Sequence, residues 1–302
     1  MSSIQLPGGF TVRTFQPPPP NFDPVKATDR ERLVYGIPRC PIENPDAVAR
    51  WTRKLSRPYK MIRPEFKPRD TRRKVRQNFL STHGPQTSYN WAGAIVSPPP
   101  GTTFKWVEST WRFPQSYLPG GSQPNIEYFA STWIGMDDGD ILQAGCDSDV
   151  DKSGGSTPHQ YNPWWEWYPA GSFWITNLTF SPGDEISLLI CVTQDSTTSA
   201  AVFFGNNTKN TAAFFHATAP AGTTLLGNSA EWIVEALSSS IGFTLAKFDE
   251  VKFTDCYAGT VSGTAVQSGS AGLIDMIDSS KSVIAKASLA GSTEVDVTYT
   301  GP

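Results

Sequence analysis

From about residue 86 to its end, the chain consists of short runs rich in aromatic and β-branched residues, separated by Gly, Ser, Thr and Pro. Such runs are typical of β-strands, and the residues between them are typical of turns. Because no helical stretch interrupts them, we predict an all-β fold, an antiparallel two-sheet β-sandwich of the jelly-roll or concanavalin-like type. The predicted strands lie near Asn90–Val96, Lys105–Phe113, Glu127–Gly135, Ile141–Asp147, Tyr161–Tyr168, Glu185–Gln194, Ala201–Gly205, Ala212–Ala217, Glu231–Leu237, Glu250–Thr254, Ser270–Ile277, Val283–Ala287 and Glu294–Tyr299.

The chain before this region has a different character, which predicts two parts: a basic, Pro-rich extension at 1–85 and the β-domain at 86–302. Pro17–Pro20 is an unbroken run of proline, which favours a polyproline II or extended arm over residues 1–25. Residues 57–76 are basic and interrupted by prolines. We expect them to form an extended connector that becomes ordered only against another surface.

Two short helices are predicted within the extension. Thr28 and Glu31 have the spacing of a capping box, so the first helix should begin there and end at Gly36. Asn44 as N-cap and Pro45 at the first helical position predict the second. The apolar residues predicted to share one face of that second helix are Val48, Trp51 and Leu55.

Charge is divided unevenly along the chain. Residues 1–80 hold 17 of the 25 Lys and Arg but only 7 of the 28 Asp and Glu, a net charge of +10, and the remainder carries −13. Opposite charges on two parts of one chain favour contact between them. We therefore expect an intramolecular contact between the basic extension and the acidic domain. The alternative is a basic surface segment that binds nothing in particular.

Several kinds of site and partner are not predicted. The four cysteines and three histidines form no zinc-ligand spacing, and Asp137–Asp140 lacks the spacing of an EF-hand calcium loop, so we predict no metal and no other cofactor. One disulfide is possible but cannot be assigned. No apolar run approaches the ~18 residues of a membrane span, and the first residues lack the pattern of a signal peptide. We predict neither nucleic-acid nor membrane binding, and the compartment is left open.

Three polar residues stand inside strongly apolar or aromatic strands: Gln143 in Ile141–Gly145, Glu231 in Ala230–Val234 and Glu166 in Trp164–Tyr168. On a strand, Glu231 would share a face with Ile233 and Glu235. A carboxyl among aromatic rings is desolvated, which raises its pKa and suits it to acid–base chemistry. The alternative is that each polar residue points to solvent from a half-buried strand. From the residues alone, we predict a β-sandwich with a candidate acidic cleft.

These segments resemble the glutamic peptidase (eqolisin) family. The matching pieces occur in the family's order and with similar spacing over about residues 88–300: Asn90–Ala94, Trp133–Asp137, Ile141–Gly145, Asp147, Tyr161, Trp164–Pro169 and Ala230–Glu235. The resemblance implies a sandwich of two bent antiparallel sheets and an acid-acting endopeptidase with polypeptide substrates. It also implies chemistry without a metal or a covalent intermediate, and a propeptide-like role for the basic extension.

The resemblance also implies the site residues. Gln143 and Glu231 would be catalytic: Glu231 would take a proton from a water, and the Gln143 amide would donate to the developing oxyanion. Asn162 stands where the family pattern leads us to expect an acidic residue. The residues implied to line the substrate-binding cleft are Trp91, Trp133, Asp137, Asp147, Trp164 and Glu166.

Two other functions compete with the peptidase. One is a carbohydrate-binding or glycoside-cleaving jelly roll, in which Asp137 or Glu166 would matter and Gln143 would be dispensable, because glycoside hydrolysis needs two carboxyls. The other is a non-catalytic or autoinhibited binding module whose extension stays clamped over the cleft.

Overall fold

The structure of the chain is a computed structural model that describes residues 1–37, 45–69, 86–137, 140–151, 159–193, 196–260 and 265–302. Among these residues, no helix is both long and apolar enough to cross a membrane. The elements ahead of residue 70 are β1 (Ser2–Leu6), β2 (Phe10–Thr14), α1 (Asp29–Val34), α2 (Pro45–Leu55), β3 (Lys60–Ile62) and β4 (Phe66–Pro68).

The rest of the described chain is almost entirely β-structure. Every predicted strand has a counterpart, although the strand predicted at Glu250–Thr254 extends to Thr260. Five short strands were not predicted: Gln86–Ser88, Gly171–Ile175, Leu237–Ser239, Gly242–Thr244 and Ala265–Gln267. The elements are β5 (Gln86–Ser88), β6 (Trp91–Val96), β7 (Phe104–Arg112), β8 (Glu127–Met136), β9 (Leu142–Asp151), β10 (His159–Trp167), β11 (Gly171–Ile175), β12 (Glu185–Val192), β13 (Ser199–Asn206), β14 (Thr211–Thr218), β15 (Ala230–Glu235), β16 (Leu237–Ser239), β17 (Gly242–Thr244), β18 (Glu250–Thr260), β19 (Ala265–Gln267), a 3-10 turn (Ser268–Ser270), β20 (Gly272–Ile277), β21 (Val283–Leu289) and β22 (Val295–Tyr299).

The strands form two mainly antiparallel sheets. The first has the order β1-β2-β14-β13-β12-β7-β18-β19, with β3 parallel to β14 beside β2. The second has the order β4-β11-β10-β9-β8-β15-β6-β20-β21-β22-β18, with β5 parallel to β20. Strand β18 pairs with β22 through its first residues and with β7 through the rest, so it joins the sheets. The predicted two-sheet sandwich is confirmed.

Period-two alternation places one main core between the sheets. Val107 and Trp111 enter it from the first sheet, and Ile134 and Ala144 enter it from the second. On β15, Trp232 and Val234 belong to this core, whereas Ile233 belongs to a separate cluster on the opposite face. The alternation predicted for β15 is therefore confirmed, and Glu231 lies on the face turned away from the main core.

The arm predicted for residues 1–25 is partly a β-hairpin. Gly8 and Gly9 have φ of +82° and +85°, a conformation that glycine adopts without strain, and they form the turn between β1 and β2. Strand β2 then adds to the edge of the first sheet at β14. The connector also becomes ordered by pairing: β3 binds β14 and β4 binds β11, whereas residues 70–76 lie outside the described residues.

Helix α1 has the predicted capping box, in which Glu31 accepts from the Thr28 backbone N–H at 2.7 Å and returns its own N–H to Thr28 Oγ1. Helix α2 begins at Pro45 as predicted, and Asn44 lies outside the described residues. The face predicted for α2 is wrong at Val48, which is 40% exposed. The buried apolar residues are Ala47, Trp51 and Leu55, because α2 turns Arg50 and Lys54 toward Glu108 of β7.

The cysteines differ in state. Cys146 and Cys256 are buried free thiols, and Cys191 is disulfide-bonded. Cys40 lies outside the described residues.

Candidate active site

Four adjacent strands of the second sheet place three polar side chains and one glycine in a row across the face opposite the main core. Glu166 of β10 is paired with Gln143 of β9, Gln143 with Gly135 of β8, and Gly135 with Glu231 of β15. Side chains at paired positions of a sheet lie on the same face. Strand register thus brings together three polar residues that are far apart in the sequence.

Gly135 opens the space between Gln143 and Glu231. A Cβ atom at position 135 would lie 3.2 Å from the Cβ of Gln143 and 3.3 Å from Oε2 of Glu231. Any other residue would therefore place its side chain between the amide and the carboxyl group.

The row is buried, and Glu166 orients its amide. Gln143 is 5% exposed, and its Nε2 donates to Oε2 of Glu166 at 3.3 Å. Its Oε1 accepts no hydrogen bond from the described residues. Glu231 is fully buried. An amide has two N–H donors, so one remains for another oxygen when the other is held by Glu166. The row thus combines a carboxyl group with a neutral hydrogen-bond donor.

Tryptophan rings lie beside the row. The next row lies two positions further along the strands and consists of Trp164, Gly145, Trp133 and Ile233. Trp91 packs edge-on against Trp133, with ring centroids 4.7 Å apart. The three tryptophans expected to line the cleft belong to one buried cluster, so the structure brings them together.

A third row contains two more carboxyl groups, Asp147 of β9 and Glu235 of β15. Asp147 accepts from Ser131 Oγ at 2.5 Å, and Glu235 accepts from Trp133 Nε1 at 2.9 Å. Burial raises the pKa of Glu235 to about 7, although the hydrogen bonds of the Trp91 and Trp133 indoles lower it. Because Glu235 resists ionisation in the folded chain, it lowers the free energy of unfolding as the pH rises from its ordinary pKa of 4.5 through about 7. Below pH 4.5 this loss of stability is absent.

Asp137 lies outside these rows. It follows β8, is buried, and accepts from the backbone N–H groups of Leu226 and Gly227. It thereby fixes the loop that leads into β15 and Glu231. Its role toward a substrate stays a prediction.

One residue of the extension enters the site. Strand β4 pairs with β11, and the N–H of Arg69 continues that pairing by donating to the Ser172 carbonyl at 2.9 Å. Nη2 of Arg69 lies 2.9 and 2.7 Å from the two oxygens of Asp147. The guanidinium carbon lies 4.4 Å from the Trp164 ring centre and 4.9 Å from that of Trp174.

Sequence reasoning did not single out Arg69 or Glu235 as site residues. Arg69 is one of many basic residues in its segment, and only tertiary contact distinguishes it. Glu235 had a signal, since it shares a strand face with Glu231. Across the described residues, no group of three or more His, Cys, Asp or Glu side chains is placed to hold a metal ion.

Comparison with known proteins gives consistent matches. The peptidase A4 family matches residues 89–299. Aspergillopepsin-2 of Aspergillus niger is 32% identical over 238 residues, which cover 72% of this chain and 80% of that protein. The crystal structure of scytalido-glutamic peptidase with a peptide-based transition state analog superimposes with a TM-score of 0.57 at 26% identity, covering 70% of this chain and 98% of that chain. That of aspergilloglutamic peptidase from Aspergillus niger gives a TM-score of 0.50 at 31% identity, covering 57% and 99%.

Proposed function

Because this chain belongs to the peptidase A4 family and is a glutamic endopeptidase, we propose that it hydrolyses peptide bonds with a water activated between Glu231 and Gln143. The observation that carries this assignment is the row on the second sheet, in which Gly135 leaves the gap between the two side chains. Membership of this peptidase family indicates that the substrates are polypeptides.

In the proposed reaction, the Glu231 carboxylate takes a proton from the water, and the water oxygen attacks the scissile carbonyl carbon. Gln143 Nε2–H donates to the oxygen that becomes negative, a preorganised electrostatic role. Glu231 then gives its proton to the departing amine as the C–N bond breaks. Since the amide is neutral at every working pH, acid does not remove this donor.

The proposed substrate-binding residues surround the catalytic row. Trp91, Trp133 and Trp164 offer apolar walls, and Glu166 orients the Gln143 amide. Asp147, a buried carboxyl group in the third row, is paired with Arg69. Asp137 would act by holding the loop before β15.

We expect activity at acid pH that falls toward neutrality. Glu166 and Glu231 are buried on the same sheet face as Glu235, and Glu235 becomes charged as the pH rises through about 7, so this face gains negative charge toward neutrality. The measurement is digestion of casein from about pH 2 to about pH 8 with pepstatin, an inhibitor of aspartic peptidases, present. A rate maximum above about pH 8, or loss of digestion with pepstatin, would contradict the proposal.

We further propose that the extension restrains this site through Arg69. The guanidinium is paired with Asp147, lies against Trp164 and Trp174, and approaches Glu166 Oε2 at 3.9 Å. A peptide cannot contact these groups while Arg69 does.

Arg69→Ala is therefore expected to raise peptidase activity near pH 6 on the order of tenfold, equivalent to about 1.4 kcal/mol. The matched control is Lys67→Ala, because Lys67 lies on β4 with an exposed side chain. The measurement is initial rate with a peptide substrate for both variants and the unchanged chain. If Arg69→Ala is no more active than Lys67→Ala, the restraint by Arg69 is wrong.

A further inference from the structure

The extension contributes side chains to the main core. Phe10 and Val12 of β2 are fully buried there. The Phe10 ring packs edge-on against Trp165 at 5.6 Å and Phe173 at 5.3 Å, both from the second sheet. Phe66, just ahead of Arg69, packs against Trp165 and Phe215. Without Phe10, Val12 and Phe66, the core side chains that they contact would be exposed to solvent.

The extension also covers the edge of the first sheet. Strand β3 pairs with Thr211–Ala213 and β2 pairs with Phe215–Thr218, so together they satisfy most of β14. The sequence of β14, TAAFFHAT, has no acidic or permanently charged side chain. A long, apolar, unpaired edge strand is a site of aggregation, which natural sheets avoid. Without the extension, β14 would be such an edge.

Helix α2 covers the outer face of the first sheet. Trp51 and Leu55 pack in one cluster with Trp106, Leu189, Phe203, Ala212 and Phe214 of that sheet. Monomeric soluble proteins rarely expose a contiguous group of large apolar side chains. Beside it, buried Glu108 pairs with Arg50 Nε at 3.1 Å and Lys54 Nζ at 2.9 Å, which fixes the orientation of α2.

These contacts differ in kind from those of Arg69, which meets the site through ion pairs and ring stacking. We propose that β2, α2 and β3, here called the anchor, are a permanent structural part of the enzyme that stays bound when the chain is cut between residues 70 and 85. Release of the active site then requires only that Arg69 leave Asp147 and Trp164, and the extension is not a propeptide that dissociates. The inference concerns binding and does not depend on catalysis.

Two charged or titratable groups of the acidic domain lie at the anchor, Glu108 and His216. Glu108 faces Arg50 and Lys54, and His216 faces Arg13, Phe15 and the Gly36 carbonyl. Burial lowers the pKa of His216, so its protonation opposes the docked extension as the pH falls below its ordinary value of 6.5. The apolar contacts carry no charge and persist. We therefore expect the anchor to stay bound even at acid pH.

The test is to place a site for a specific protease between residues 70 and 85 of the full chain, cut it, and separate the products by size at about pH 7 and about pH 4. Because Cys191 is disulfide-bonded, each run is made with and without reductant. We expect the two fragments to co-elute in every run. Elution of the N-terminal fragment alone, or co-elution only without reductant, would overturn it.

A variant pair tests the anchor in the uncut chain. Phe10→Ala should lower Tm by roughly 5–10 °C, because it leaves a cavity in the main core. Leu33→Ala is the control in the same extension, since Leu33 is 50% exposed, and it should leave Tm within about 2 °C. Equal Tm values for the two variants would contradict the structural role, whatever their activity.

Discussion

Replacement of Glu231 with glutamine is expected to lower kcat/KM for peptide hydrolysis by more than about 10³. Glutamine has the shape of glutamate, so it fits the buried position opposite Gly135. It cannot accept a proton from the attacking water or return one to the departing amine. The measurement is kcat/KM at acid pH together with Tm, which should stay close to that of the unchanged chain.

The matched control for this variant is Glu235→Gln. Glu235 lies on the same strand and face, but it accepts from Trp133 and is not in the row with Gln143. We expect it to keep kcat/KM within about tenfold of the unchanged chain. Near-normal turnover in Glu231→Gln would end the assignment of Glu231 as the base.

Replacement of Gln143 with alanine is expected to lower kcat by about 10²–10³, with a much smaller effect on KM, because one oxyanion donor is lost. The hydrogen bond to Glu166 is lost as well. The control is Gln160→Ala, since Gln160 is exposed on the adjacent strand β10 and should change neither constant. A rise in KM with unchanged kcat would show that the amide binds substrate and does not stabilise the transition state.

The strands could be predicted because their alternation and the turns between them are local properties of the sequence. The hairpin β1–β2 was harder to foresee, because β2 is stabilised by pairing with β14, some 200 residues away. The face of α2 depends in the same way on Glu108. The residue pattern of one segment does not identify the distant strand with which that segment pairs or packs.

The candidate site shows the same division. Gln143, Glu166 and Glu231 stand out as polar residues in apolar strands, and family resemblance assigns roles to them. Their alignment depends on the register of four strands, and Gly135 acquires its importance only from that register. The pair between Arg69 and Asp147 is a tertiary contact. The uneven charge of the sequence predicts only that the two parts of the chain attract each other, and does not identify which residues meet.

The most direct test of the proposed chemistry is the affinity of a peptide analogue with a tetrahedral centre for the unchanged chain and for Gln143→Ala. An enzyme binds the transition state more tightly than the substrate, and the analogue reports that difference even in an inactive variant. We expect Gln143→Ala to lose about 10²–10³ in affinity for the analogue, in step with kcat/KM, while its affinity for a product peptide is unchanged. Equal affinity of both proteins for the analogue would contradict the role of Gln143 in stabilising the oxyanion.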